Sequence, residues 1–490
     1  MTKRNRNPFL RFLGFSVARL PSFLPPFLHG PPPARLKALN ENAGHVDRAG
    51  DTLKMVRSRG VEPPSALSGP GPEPGASANS ATSAFNLSPR RAATILTRLR
   101  SLSSPPPEGG GPLEPPADVA EGNGTAMQKP RDVIDALLRK KEADRVGLFD
   151  SPWNDTLRQW VTQGYPTDEK GDPVSPPDHF GFDIVGVGGW FDPLPLRGVS
   201  ELIEETSEWK VTRNGAGAAL KYWKNRSGTP EHIDFRMTSR EVWDRDYRPH
   251  LLAADRRRMD VAGTAKELAR RKAQGLWTHY GHLFVWENMR QSMGDICLYQ
   301  SLLLDPEWIH DYNRVYTDFY KAHYKILFEE AGVPDGIWVY EDLGYKNALF
   351  CSPKMYADLI FPYFKELVDF FHSYDLPVVL HTCGFVEPAL DLLVEAGFDA
   401  LNPMEVKAGN DPLRIAEKYA DRLAFIGGLD ARILESGDKD LIRREVARLV
   451  EGMKRRGARF VYASDHSIST LVRYENFKYA IAVYREHMYY

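Results

Sequence analysis

His381-Thr382-Cys383-Gly384 closes the apolar run Pro377-Val378-Val379-Leu380 and sets two soft-metal ligands one residue apart where a buried strand should stop. Imidazole nitrogen and thiolate sulfur both bind Zn²⁺ well, a carboxylate can join them, and a catalytic site keeps one position open for water or substrate. Alternate residues of a strand share a face, so His381 and Cys383 point the same way. His466, within Ala463-Ser464-Asp465-His466-Ser467, is a candidate third ligand, with Glu341 or Glu405 as a fourth or as an orienting partner. A lone His-x-Cys also serves structural and substrate-contacting roles, so a metal-free reading stands beside the metallic one.

A second group is Glu341-Asp342, which follows Trp338-Val339-Tyr340. Neighbouring carboxylates raise one another's pKa toward the range useful for acid or base work. The alternative has one of them facing the site and the other capping the next turn. Gly427-Gly428-Leu429-Asp430 allows close backbone approach to a ligand, with Asp430 as a polar contact. It lacks the spacing of a dinucleotide or P-loop fingerprint, and Gly186, Gly188 and Gly189 resemble a G-x-G-G loop that no helix with a phosphate-facing amino end follows.

Such residues need elements to position them. From Met127 onward, β-rich runs over 145–149, 182–187, 282–286, 336–340, 377–381, 400–404, 423–426 and 460–463 alternate with helical patterns over 352–374, 386–396 and 441–456. Eight strands with intervening helices predict an α/β fold, a (β/α)8 TIM barrel with a long insertion between its second and third strands. Within that insertion, 201–213 reads as a polar hairpin and 239–275 as charged helices, together a lid or side structure.

Barrel enzymes carry their reacting groups at the carboxyl ends of the strands. The residues predicted there include Asp150, Gly188, Gly189, Glu287, Asn288, Lys407, Gly427 and Gly428. From this ring Glu341, Asp342 and Glu405 are the catalytic candidates, Trp153, Trp190, Asp430 and Asp465 the substrate contacts, and His381, Cys383 and His466 the metal ligands.

Composition separates the first 126 of the 490 residues from the rest. They hold 19 of the 37 prolines and runs such as Pro105-Pro106-Pro107 and Gly109-Gly110-Gly111, a composition that cannot bury enough apolar surface to offset ordering entropy. The expectation is a disordered extension over 1–126, read as a misassigned start, a flexible tail or, from Arg4, Arg6, Arg11 and Arg19 without an acidic residue before position 30, a transit segment. It carries 15 Lys+Arg against 9 Asp+Glu, leaving 48 against 56 for the acidic body, which argues against nucleic acid as the main partner. Cys297, Cys351 and Cys383 are too few and too scattered for a disulfide framework, and no apolar run reaches the ~18–20 residues needed to span a bilayer. A cytoplasmic protein without a membrane partner is the expectation.

Residues 127–490 resemble the uroporphyrinogen decarboxylase (URO-D) superfamily, which also contains cobalamin and coenzyme M methyltransferases. The resemblance rests on the opening helix into Lys141-Glu142-Ala143-Asp144-Arg145-Val146, on 336–344, on His381-Thr382-Cys383-Gly384 followed by 395–403, and on Phe425-Ile426-Gly427-Gly428-Leu429-Asp430. It implies a (β/α)8 barrel with its site at the carboxyl end. True uroporphyrinogen decarboxylases carry Arg-Gln-Ala-Gly-Arg-Tyr after the first strand, whose arginines hold the substrate carboxylates. Here that place reads Asp150-Ser151-Pro152-Trp153-Asn154-Asp155, without the guanidinium fork that suits a polycarboxylate.

The methyltransferase branch binds zinc through a His-x-Cys on this strand and a second Cys after the last. His381 and Cys383 match, whereas His466 stands near the place of the second Cys. The resemblance thus implies zinc-dependent methyl transfer on a small-molecule substrate, with a corrinoid carried by a partner protein or a thiol as acceptor, and a homodimer. Two rivals remain: a metal-free decarboxylase of porphyrin metabolism using Asp342 or Glu405, and a non-catalytic binding barrel.

Overall fold

A run such as Val378-Val379-Leu380-His381-Thr382 is buried at every position, so its strand must be covered on both faces, as in a parallel barrel wrapped in helices. The structure is a computed structural model describing residues 127–225 and 227–490; the extension expected over 1–126 lies outside the described residues. In chain order the described strands are β1 (Gly147–Leu148), β2 (Ile184–Gly186), β3 (Ser200–Glu205), β4 (Trp209–Asn214), β5 (Ala218–Trp223), β6 (Glu231–Phe235), β7 (Trp277–His282), β8 (Gly336–Tyr340), β9 (Val378–Thr382), β10 (Ala400–Pro403), β11 (Ala424–Ile426) and β12 (Phe460–Tyr462). Eight of them form a parallel sheet in the order β1-β12-β11-β10-β9-β8-β7-β2, the predicted barrel.

β1 and β2 close the ring through a side chain. Asp183, one residue before β2, accepts the Leu148 amide at 2.7 Å and two guanidinium nitrogens of Arg145 at 2.8 Å. Its own amide donates to the Leu148 carbonyl at 2.8 Å.

Ile184, Trp277, Trp338, Val379, Ala400, Ala424 and Val461 form one buried cluster with Val133, Ile134, Leu137 and Leu138 of the helix Pro130–Leu138. Those four recur at helical spacing, and burying each contributes roughly 1.5–3 kcal/mol. Small residues let the indoles fit. A Cβ on Gly147 would lie 2.6 Å from Ile134, and one on Gly336 would lie 2.4 Å from Trp277.

The third barrel strand is β7, Trp277–His282, not the 282–286 run expected from sequence. Its six positions are all buried although Thr278, His279 and His282 are polar. Thr278 satisfies its hydroxyl on Asp335 at 2.6 Å, and the two ring nitrogens of His282 face the carbonyls of Leu283 and Phe191 at 3.1 and 3.0 Å. Those partners offset part of the desolvation penalty that makes polar residues look unlike a buried strand, the neutral His282 ring donating its one N–H to one of the two carbonyls. Val285 and Trp286 instead begin the helix Val285–Leu304, which carries Glu287 and Asn288 on its first turn.

The insertion is a side structure, as expected. Its hairpin is β3 paired with β4, Glu201 opposite Arg213, extended by β5 and β6 into a four-stranded antiparallel sheet. Helical turns and the helix Val261–Ala273 return the chain to β7. The sheet meets the helix Val285–Leu304 where Gly294 breaks it at φ 72° and ψ 160°; a Cβ there would lie 2.3 Å from the Phe235 ring. Among the described residues no helix is long and apolar enough to cross a membrane.

Candidate functional site

Strand register sets the site. Tyr340 of β8 lies opposite His381 of β9, and His381 lies opposite Asn402 of β10, so the three form one row across adjacent strands. The Tyr340 and His381 rings are 5.3 Å apart. Cys383 follows on the same side, and the chain turns at once through Gly384 at φ 79°, where a Cβ would lie 2.2 Å from the Gly344 backbone.

His381, Cys383 and Asp342 are all buried, and their ligand atoms lie within 4.8 Å of one another. His381 Nε2 is 3.4 Å from Cys383 Sγ. Zinc bond lengths of ~2.1 Å to nitrogen and ~2.3 Å to sulfur at a tetrahedral angle imply a nitrogen–sulfur edge of about 3.6 Å. Nitrogen, sulfur and carboxylate oxygen are a zinc donor set, so the residues fit such an ion. Burial pushes the Cys383 thiol well above its ordinary value, with Asp342 and Glu405 adding to the rise. Burial also lowers the basicity of His381, against the pull of Asp342, and so favours its neutral form. Neutral imidazole is the form that ligates, whereas the buried thiol needs an electrophile to ionise it.

The surrounding bonds hold the trio still. Asp342 Oδ1 accepts the Cys383 amide at 2.9 Å. Glu405 accepts the Gly384 amide at 2.7 Å and pairs with Lys407 at 3.2 Å. Asn402 Oδ1 lies 2.6 Å from His381 Nδ1, while Asn402 Nδ2 donates to the Ile426 carbonyl at 2.9 Å.

The other expected residues divide by what they touch. Glu341 is fully buried and accepts the amides of Phe284, Trp286 and Glu287 at 2.5, 2.8 and 3.3 Å. It thus caps a helix while Asp342 joins the trio, the alternative division of that carboxylate pair. Burial first, and Glu287 second, raise its carboxyl well above the ordinary range.

His466, expected as the third ligand, stands outside the trio, and Asp342 completes it. The His466 Nδ1 faces the Ser467 carbonyl at 3.2 Å, and its ring meets Trp153 edge-on at 5.9 Å. It is still near enough for its charge to bear on His381. Trp190 stacks on Tyr340 at 5.6 Å.

The two aspartates expected to contact substrate are engaged within the protein. Asp430 caps the helix Ala431–Ser436 and pairs with Arg432 at 2.6 Å. It also lines a cavity of about 250 Å³ with Asn410, Asp411, Glu445 and Arg448, whose lining includes no member of the trio. Asp465 accepts the amides of Val406 and Ala431 at 2.8 and 2.9 Å, tying two strand-end turns together, and burial pushes its carboxyl up to about 6.

Sequence reading did not single out Asn402 or Arg290. Asn402 occupies the same inward row as His381, a signal available from strand alternation alone. Arg290 is buried, bonded to Glu287 at 2.7 Å and seated 4.1 Å over the Phe350 ring. Burial and the nearby Asp342 hold the Glu287 carboxyl above its ordinary range, against the pull of Arg290. Their i,i+3 spacing on the helix is the sequence signal of the pair, but that spacing is equally usual on an exposed helix face and does not mark its burial.

A parallel (β/α)8 barrel with a buried polar trio at the carboxyl ends of β8 and β9 is the class that fold and site define. Residues 293–487, which span β8 to β12 and the whole trio, match the family model described as uroporphyrinogen decarboxylase (URO-D). That part of the chain is similar to the URO-D family. Among solved structures it is similar to a methyltransferase from Methanosarcina mazei, at 16% identity and a TM-score of 0.51 over 73% of this chain and 98% of that one. A glycosylated endo-β-1,4-xylanase from Gloeophyllum trabeum follows at 12% identity and a TM-score of 0.31, over 47% of this chain and 81% of that one. No curated protein sequence matches the chain.

Proposed function

We propose that the chain is an enzyme of methyl transfer on a small-molecule substrate, working at a zinc ion held by Asp342, His381 and Cys383. The observation that carries this reading is the convergence of those three ligand atoms within 4.8 Å at the carboxyl end of the barrel. When bound, zinc would lower the pKa of a substrate thiol and hold it as the reactive thiolate. Asp342 and Glu405 hold the backbone of the Cys383-Gly384 turn through its amides, which keeps the thiol on the His381 side. The Glu287 carboxyl, raised by burial and by Asp342, is suited to receive a proton released as the substrate ionises. Trp190 stacked on Tyr340 supplies an apolar wall beside His381, and His466 with Trp153 stands at the rim.

The methyl group would arrive on, or leave to, a corrinoid carried by a separate protein. The similar Methanosarcina structure, itself named a methyltransferase, supports that direction of search. A polycarboxylate lyase fits these residues less well. Asp150 stands where true uroporphyrinogen decarboxylases begin their arginine stretch, and it is buried against Ser464, whose amide and hydroxyl it accepts at 3.1 and 2.7 Å.

Metal analysis of the full chain, purified without chelator, tests the reading. Near one zinc per chain in the wild type, with loss in Cys383→Ala, is the expected result, together with zinc-dependent demethylation of methylcobalamin by a small thiol, seen in the visible spectrum. A folded wild-type chain that takes up no zinc from a replete buffer sinks the proposal.

A further inference from the structure

We propose that Asn402 is a positioning residue that fixes the tautomer of His381 and turns its Nε2 lone pair toward Cys383 and Asp342. The consequence for metal binding rests on the zinc reading above, whereas the tautomer is testable without it. Asn402 lies opposite His381 in the β9–β10 register and is 4% exposed. Its amide has two distinct neighbours: Nδ2 is 2.9 Å from the Ile426 carbonyl and Oδ1 is 2.6 Å from His381 Nδ1.

The Ile426 carbonyl can only accept, so it demands the NH₂ group. Flipping the amide would press two oxygens together in a buried place and leave both unpaired, a cost of roughly 1–3 kcal/mol for each lost partner. Oδ1 must therefore face the imidazole, and an oxygen acceptor at that distance needs a proton on Nδ1. A neutral ring carrying its proton on Nδ1 has its lone pair on Nε2, the nitrogen 3.4 Å from Cys383 Sγ. Free histidine favours the opposite tautomer, with the proton on Nε2, which would aim an N–H at the trio and block ligation. Asn402 thus selects the ligating form before any ion arrives, as outer partners of metal-bound histidines do.

Two measurements on the full chain test this. Long-range proton–nitrogen spectra of ¹⁵N-histidine-labelled, chelator-treated protein report the tautomer of His381, whose signals are identified by their loss in His381→Gln. Competition titration reports zinc affinity. The wild type is expected to show a protonated Nδ1. Asn402→Leu is expected to move the proton to Nε2 and weaken zinc binding about 10- to 100-fold. Asn402→Asp, which keeps an acceptor toward Nδ1, should retain the tautomer and most of the affinity.

A wild-type His381 protonated on Nε2 overturns the assignment, as does a folded Asn402→Leu chain with wild-type tautomer and affinity. The wild-type spectrum decides even if that variant fails to fold. If the wild type shows the Nδ1 proton yet binds no zinc, the metal reading fails and the role of Asn402 in setting the tautomer stands.

Discussion

Glu341 and Asp342 are adjacent in the chain, yet their carboxylates serve different parts of the molecule. Glu341 accepts three amides at the amino end of the helix Val285–Leu304, while Asp342 Oδ1 accepts the Cys383 amide at 2.9 Å and completes the ligand trio. The helix macrodipole favours an anion where Glu341 sits, and its three donors favour an acceptor with two oxygens.

Isosteric amides therefore separate the pair. Glu341→Gln removes one acceptor oxygen and turns an NH₂ toward buried N–H groups, which is expected to cost about 2–3 kcal/mol in urea unfolding while leaving zinc stoichiometry intact. Asp342→Asn keeps an oxygen for the Cys383 amide and should change stability little. Its zinc affinity should fall at least about tenfold, since even outer partners of a metal ligand are worth that much. Equal behaviour of the two variants in both measurements would show that the carboxylates are not divided as described.

The barrel interior makes stability depend on pH through His279. Burial lowers its pKa from 6.5 to about 4, so above pH 6.5 the folded and unfolded chains both hold it neutral. As pH falls below 6.5 the unfolded chain takes up the proton first, and stability is lost progressively until the folded-state pKa is passed. Between pH 7.5 and 5 this one group is expected to remove about 2 kcal/mol. His279→Phe should lose correspondingly less over the same interval, whatever its stability at pH 7.5. Urea midpoints of both proteins at the two pH values check this, and parallel losses would contradict it.

How far the sequence reveals the fold depends on where polar groups find their partners. β9 and β8 were legible because Val378-Val379-Leu380 and Ile337-Trp338-Val339 advertise burial. β7 was not, because the local acceptors for Thr278 and His282 come from Asp335, Leu283 and Phe191 and are invisible in the strand itself. The site divides the same way. His381 and Cys383 share one strand, so alternation alone brings them together. Choosing Asp342 over His466 required knowing which strand end leans toward Cys383, a matter of β8–β9 adjacency and of the Cys383 amide bond rather than of residue type.

Gly294 links the insertion to the barrel. Its φ of 72° with ψ of 160° belongs to a region that side chains avoid, and a Cβ would lie 2.3 Å from Phe235. Gly294→Ala is expected to lower stability by about 1–3 kcal/mol. Adding Phe235→Ala should relieve the clash but not the backbone strain, so the double variant is expected to lose less than the sum of the two singles. Thermal melts of the four proteins measure that coupling, and strict additivity would mean that Phe235 does not press on this break.

Barrel closure rests on Asp183, whose buried carboxylate serves the Leu148 amide and Arg145 together. Arg145 and Asp183 side chains are 11% and 1% exposed, so removing one charge strands the other where water cannot reach it. Breaking a buried pair in that way costs about 3–5 kcal/mol, far more than loss of a surface pair. Asp183→Asn is expected to lower stability by an amount in that range. It should also speed amide exchange at Leu148, the β1 amide that has Asp183 as its acceptor. Replacing both residues with apolar ones of similar volume removes the stranded charge but not the need of the Leu148 amide, so it should recover part of the stability and none of the exchange protection. A single variant as stable as the wild type, with the Leu148 amide still protected, would mean that the ladder and not this side chain closes the ring.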